Sequence, residues 1–155
     1  MYNYSEKFNL KNKLAFVLGG FGLIGKETTI ALAEHGAKII ILDIKKNQSF
    51  LNQAIKKKFD IEFVKFDLKK TQNLEKSYSE ILQKYKCPQI FINCSYAKTK
   101  DWTQNTFKKI KFNSFRQNIE YQLISNSWIT FMTAELMKKR KIQGSIIQIG
   151  SVYGI

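Results

Sequence analysis

Residues 14–25 read Leu14-Ala15-Phe16-Val17-Leu18-Gly19-Gly20-Phe21-Gly22-Leu23-Ile24-Gly25, and this stretch decides the fold. Five apolar residues in a row suit a strand buried on both faces. Glycines follow at once, and a helical pattern then begins with Leu23 and Ile24 and runs through Ala31 and Ala33 to Gly36. The order strand, glycine turn, helix sets free amide groups and the positive end of a helix dipole at the end of a strand. Glycine lets the backbone reverse tightly and approach a ligand with no Cβ in the way. Such a turn suits a diphosphate, and Gly20-x-Gly22-x-x-Gly25 has the spacing of a dinucleotide site.

The residues downstream strengthen that reading. A second apolar run, Lys38 to Leu42, closes on Asp43, roughly 20 residues past the glycines, where an acid accepts hydrogen bonds from an adenosine ribose. The same carboxylate repels the 2′-phosphate of NADP, so NAD is the expected cofactor and NADP the less favoured one. Gly20, Gly25 and Lys26 also fit the start of a nucleotide-triphosphate P-loop. Position 27 decides against it, because Glu27 stands where that motif needs a Ser or Thr hydroxyl on Mg²⁺.

Composition narrows the class. The chain has 155 residues, enough for one domain that buries about 70% of its unfolded surface. A single proline and no low-complexity stretch leave no visible linker or repeat. No apolar run reaches membrane-spanning length, and the first dozen residues are too polar for a signal peptide, so the cytoplasm is the expected location and no membrane partner is expected. Cys87 and Cys94 lack metal-site spacing, and no metal is expected. The net charge of +14 resides almost entirely in lysine. Its clusters, Lys56-Lys57-Lys58 and Lys138-Lys139-Arg140-Lys141, fall where helices should end and complement the helix dipole. No base-reading motif accompanies them, so no specific nucleic-acid partner is expected.

Along the rest of the chain the pattern alternates. Residues 49–59 read as a helix and 61–66 as a strand ending at Asp67-Leu68; Thr71 can cap the next helix, with Leu74, Tyr78, Ile81 and Leu82 on its apolar face. Pro88 stops that helix before a short buried strand, 89–93. A long helical region, kinked or straight, runs from Ser114 to Arg140, Gly144 ends it, and 145–149 is the last strand. The expectation is an α/β, Rossmann-like doubly wound parallel sheet in three layers, order 3-2-1-4-5, with ligands at the carboxyl ends of strands one and four. His35, next to Gly36, reads as a helix-end cap.

In this order and spacing the motifs resemble the short-chain dehydrogenase/reductase family over almost the whole chain. The turn Gly19, Gly20, Phe21, Gly22, Leu23, Ile24 and Gly25 resembles its cofactor loop, Asp43 its ribose-binding acid, and Asp67-Leu68 the pair that meets the adenine. Asn93, Cys94 and Ser95 stand where the family has Asn-Asn-Ala-Gly, so the resemblance places them on the cofactor too. Ser151 resembles the catalytic serine, and Gln122 stands where an active-site asparagine is expected. The segment 93–102 and the ending Ser151-Val152-Tyr153-Gly154-Ile155 also resemble oxidoreductases linked to flagellin or surface-sugar modification. The resemblance implies hydride exchange between NAD(P) and the carbonyl or alcohol of a small-molecule substrate. It also implies a homo-oligomer packed through the long helix from Ser114 to Arg140.

Departures from the family matter equally. Leu18 replaces a threonine, Cys94 an asparagine, and Gln122 is longer than the asparagine it replaces. The family's tyrosine, with a lysine four residues on, follows the serine, and this sequence contains no such pair after Ser151. The tyrosine exchanges the proton and the lysine lowers its pKa. Tyr153 has no such lysine after it, and Tyr96 with Lys100 has the spacing by coincidence, in a loop. The sequence therefore reads as one domain, residues 1–155, lacking a C-terminal part and cut off after the fifth strand. Two readings remain: a truncated piece of an oxidoreductase, inactive alone, or a non-catalytic NAD-binding protein or degenerate gene product.

Overall fold

The structure is a computed structural model that describes residues 8–106 and 108–150. The expected alternation is present. Strand β1 (Leu14–Leu18) leads to helix α1 (Leu23–Glu34), β2 (Lys38–Asp43), α2 (Gln48–Lys56) and β3 (Ile61–Lys65). Then come a 3₁₀ turn (Thr71–Asn73), α3 (Leu74–Tyr85), β4 (Ile90–Asn93), a short 3₁₀ turn (Trp102–Gln104), α4 (Phe112–Ile119), a π-helical turn (Glu120–Ile124), α5 (Ser125–Lys139) and β5 (Ser145–Gln148). All four strand pairings are parallel and the order is β3-β2-β1-β4-β5.

Strand alternation divides one sheet between two cores. Phe16, Leu18, Ile40, Leu42 and Phe91 point to the side covered by α3 and α5, where they meet Tyr78, Ile81, Leu82 and Ile129. Ala15, Val17, Ile39 and Ile41 point to the other side, against Ala33 of α1 and Phe50 of α2. This two-sided burial is why β1 and β2 are apolar throughout rather than alternating. Among the large side chains, Tyr78 is buried outright, and its hydroxyl lies 2.6 Å from Thr133 Oγ1 on α5. Thr133 Oγ1 itself donates to the Ile129 carbonyl, so the phenol is the donor between the two. Burial pushes the Tyr78 phenol far up, and it stays neutral and keeps its proton for that bond.

Several local expectations change. Thr71 opens a 3₁₀ turn instead of capping α3, whose N-cap is Asn73 with no side-chain bond. The lysine clusters do lie at helix ends, but they also terminate the helices. Lys58 and Lys141 adopt left-handed φ values of 59° and 54°, the conformation glycine usually supplies after a helix. Gly144 therefore does not end the long helix; a Cβ there would sit 2.6 Å from the Gln89 carbonyl, so its role is close approach of β5 to the segment before β4. His35 is a cap as expected: its Nδ1 and its backbone N–H both reach the Ala31 carbonyl.

Tyr78→Phe removes a buried donor while keeping the ring. We expect a loss of about 1 kcal/mol, or a Tm lower by roughly 2–4 °C, checked by thermal denaturation of the variant.

Candidate functional site

The sheet order reverses between β1 and β4, so the loops after these two strands part and leave a crevice. A cleft of about 880 Å³ opens there. The turn after β1 contributes Gly19 and residues 21–24, and the segment after β2 contributes Asp43 and residues 44–46. Asp67, Leu68 and Lys69 enter after β3, and Cys94 and Ser95 after β4.

The glycines divide the labour. Gly19 has φ +74°, and a Cβ there would meet Ser95 Cα at 2.8 Å, so the first and fourth strand ends touch backbone to backbone. A Cβ on Gly25 would fall 2.1 Å from the Gly19 carbonyl oxygen, which no rearrangement short of moving α1 relieves. Gly20 is pressed against Ile41 in the same way. Gly20 and Gly25 therefore do not line the cleft. They let α1 dock so closely that its first turn faces into it. Gly22 is the N-cap of α1 and offers no side-chain cap, and the first turn holds no acid. The amides at the start of α1 are thus left for a ligand, with the Leu23 side chain turned out to solvent. An uncapped helix start in a glycine cradle fits a diphosphate.

Asp43 closes the cleft from the second strand. Its Oδ2 accepts the Phe21 N–H at 2.9 Å and its Oδ1 the Ile44 N–H at 2.7 Å. It thus ties the glycine turn to the end of β2 while each oxygen keeps a lone pair free. Lys45 and Lys46, which the sequence reading passed over, follow it along the wall. On the β3 side, Asp67 Oδ1 holds the Lys69 amide. Leu68 is buried in the core and forms part of the cleft wall. Its carbonyl receives the Ser125 hydroxyl at 3.1 Å.

On the β4 side, Asn93 is buried and its Oδ1 accepts both the amide and the hydroxyl of Ser95, at 2.9 and 2.6 Å. Cys94 is half-buried, and its Sγ lies 3.9 Å from Thr28 Oγ1 on α1. Burial pushes its thiol up, only partly offset by that contact. Tyr96 packs edge-on to Trp102, and the cation over its ring is Lys98, not Lys100. The coincidental spacing of Tyr96 and Lys100 thus has no counterpart in space.

Gln122 sits in the π-helical turn and does not reach the cleft. Its Nε2 is buried without a protein partner, and its carbonyl is taken by the side chain of Asn126, one turn on. This turn interrupts the α-helical pattern of the long helical region. Asn126, which sequence reasoning missed, was detectable as the polar residue four positions after Gln122 on the same face. Ser151 lies outside the described residues, as do Val152, Tyr153, Gly154 and Ile155. Among the described residues no cluster of His, Cys, Asp and Glu could hold a metal ion, and no helix is long and apolar enough to cross a membrane.

Known proteins share this arrangement. The family model described as short chain dehydrogenase matches residues 13–155. A post-translational flagellin modification protein A of Campylobacter coli is 25% identical over 154 residues, covering 94% of this chain and 58% of that protein. Among solved structures, a short chain dehydrogenase from Leptospira borgpetersenii serovar Hardjo-bovis with bound NAD+ aligns with a TM-score of 0.77 at 23% identity, over 99% of this chain and 56% of that one. A 3-oxoacyl (acyl-carrier-protein) reductase from Agrobacterium tumefaciens C58 with NADP bound aligns at 0.82 and 19% identity, over 96% and 56%. This chain therefore spans 58% of the length of the flagellin-modification relative. With the doubly wound sheet and the glycine cradle in place, the match from residue 13 to residue 155 makes this chain a member of the short-chain dehydrogenase family, whose members bind NAD(P).

Proposed function

We propose that these 155 residues form the NAD(P)-binding part of an oxidoreductase that acts on a carbonyl or alcohol. One observation carries the reading: the α1 amides, uncapped, face the crevice at the strand-order reversal because Gly19 and Gly25 allow the helix to dock there. The diphosphate lies on those amides, the adenosine ribose on the free lone pairs of Asp43, and the adenine between the loops carrying Asp67 and Ser95. NAD(P), when bound, supplies or accepts the hydride. Ser151 orients the substrate oxygen, and the buried Nε2 of Gln122 is free to hydrogen-bond a water. The flagellin-modification relative favours a sugar derivative as substrate. No Tyr-x-x-x-Lys pair follows Ser151 in these residues, so they bind the cofactor without turning substrate over.

The preferred cofactor is NAD, since Asp43 stands where a 2′-phosphate would go. Lys45 and Lys46 beside it narrow the margin. An exposed apolar face along α4, the π-helical turn and α5, with Phe115, Leu123 and the stacked pair Trp128 and Phe131, supports pairing with a second copy.

Three outcomes follow. Calorimetry should show NADH binding with no NADH oxidation in the presence of carbonyl substrates, and Gly25→Ala should abolish binding while lowering stability by about 1–3 kcal/mol, the range for an overpacked site. NADH should bind more tightly than NADPH, and Asp43→Asn should weaken NADH and narrow the gap; NADPH binding more tightly to the unaltered chain would contradict the assignment. Trp128→Glu should shift the sedimentation coefficient from dimer to monomer.

A further inference from the structure

Gln122, Asn126 and Thr130 lie four residues apart on one helical face, and Asn126 and Thr130 meet the carboxyl ends of β4 and β5 through Asn93 and Gln148. Asn126 is its junction. Its Oδ1 accepts from Asn93 Nδ2 at 2.7 Å, and the Ser95 hydroxyl, whose proton goes to Asn93, lies 3.3 Å away. Its Nδ2 donates to the Gln122 carbonyl at 2.8 Å and to the Tyr121 carbonyl at 3.3 Å. Both donors and the acceptor of one side-chain amide are therefore in use.

The direction of every bond in this relay is fixed by a backbone amide. The Ser95 N–H can only donate, so the Asn93 atom facing it is Oδ1. Asn93 must then present Nδ2 to Asn126, which presents Oδ1 in return and turns its own Nδ2 toward the π-helical turn. That turn supplies acceptors for it. The Ser125 amide reaches back five residues to the Glu120 carbonyl instead of four, which loosens the regular ladder over Tyr121 and Gln122. The Asn126 side chain covers the two carbonyls concerned.

We infer that Asn126 is a positioning residue, which locks the Ser95 loop of the nucleotide cleft to the π-helical turn that carries Gln122. It touches no ligand. It acts through Asn93, which holds Ser95 at the wall of the cleft, and through the carbonyl of Gln122. The inference rests on the nucleotide-site reading proposed above. It adds that the fourth-strand wall is set by helix α5 and not only by the sheet.

The test compares NADH affinity with thermal stability in the full chain. Asn126→Leu should weaken NADH binding roughly tenfold, the equivalent of one or two buried hydrogen bonds. Asn126→Asp keeps the acceptor toward Asn93 and should recover most of that affinity while remaining less stable. Tyr78→Phe, which loses a buried hydrogen bond away from the cleft, should lower Tm and leave the NADH Kd unchanged. The inference is overturned if Asn126→Leu binds NADH like the unaltered chain, if Asn126→Asp binds no better than Asn126→Leu, or if Tyr78→Phe loses affinity in the same proportion to its Tm. Should Asn126→Leu fail to fold, Ser95→Ala decides: it should lose affinity several-fold, and no loss overturns the inference. Failure of the unaltered chain to bind millimolar NADH would instead strike the nucleotide site itself, and the relay with it.

Discussion

The close approach of Gly25 to the Gly19 carbonyl is the constraint on which the site depends. A single methyl at Gly25 would sit 2.1 Å from that oxygen, so α1 can lie where it does only because the side chain is hydrogen. The docking aims the first turn of α1 along the end of β1, and Gly22 leaves its amides uncapped. The first turn of α1 is exposed, so its donors stay accessible to water or to a ligand. Here the cleft keeps them open to an anionic ligand.

The sheet holds this turn still. Residues of alternating direction on β1 and β2 lock into separate cores above and below, so the strand end cannot shift without disturbing both. Asp43 then pins the turn from the side through the Phe21 amide. Gly19, in backbone contact with Ser95, pins it from β4. Charge plays a secondary part. Lys45, Lys46, Lys69 and Lys98 border the cleft against Asp43 and Asp67, so the rim attracts phosphate while Asp43 discriminates at the ribose.

Much of this was legible in the sequence because it depends on periodicity and on glycine. An unbroken apolar run predicts burial on both faces, and the strand order follows from right-handed crossovers; both appear as expected. Asp43, Asp67 and Ser95 could be placed because strand ends converge at a reversal of order. Less was legible where tertiary contact overrides local preference. Lysines at positions 58 and 141 take left-handed backbone conformations that composition would assign to glycine, and Gly144 serves packing instead. Leu68 is a core residue that also lines the cleft, and the pattern cannot tell a backbone role from a side-chain one. Asn126 escaped notice because its spacing from Gln122 marks a shared helical face but not the strand end which that face meets.

The central claim is that backbone amides at the start of α1 grip a diphosphate, and amide NMR tests it residue by residue. Titration of the ¹⁵N-labelled chain with ADP-ribose should move the Leu23 and Ile24 amide resonances strongly, whereas adenosine, which has no phosphate, should move only those near Asp43 and Asp67. Equal shifts with both ligands, or an ADP-ribose response confined to residues outside this turn, would contradict the account.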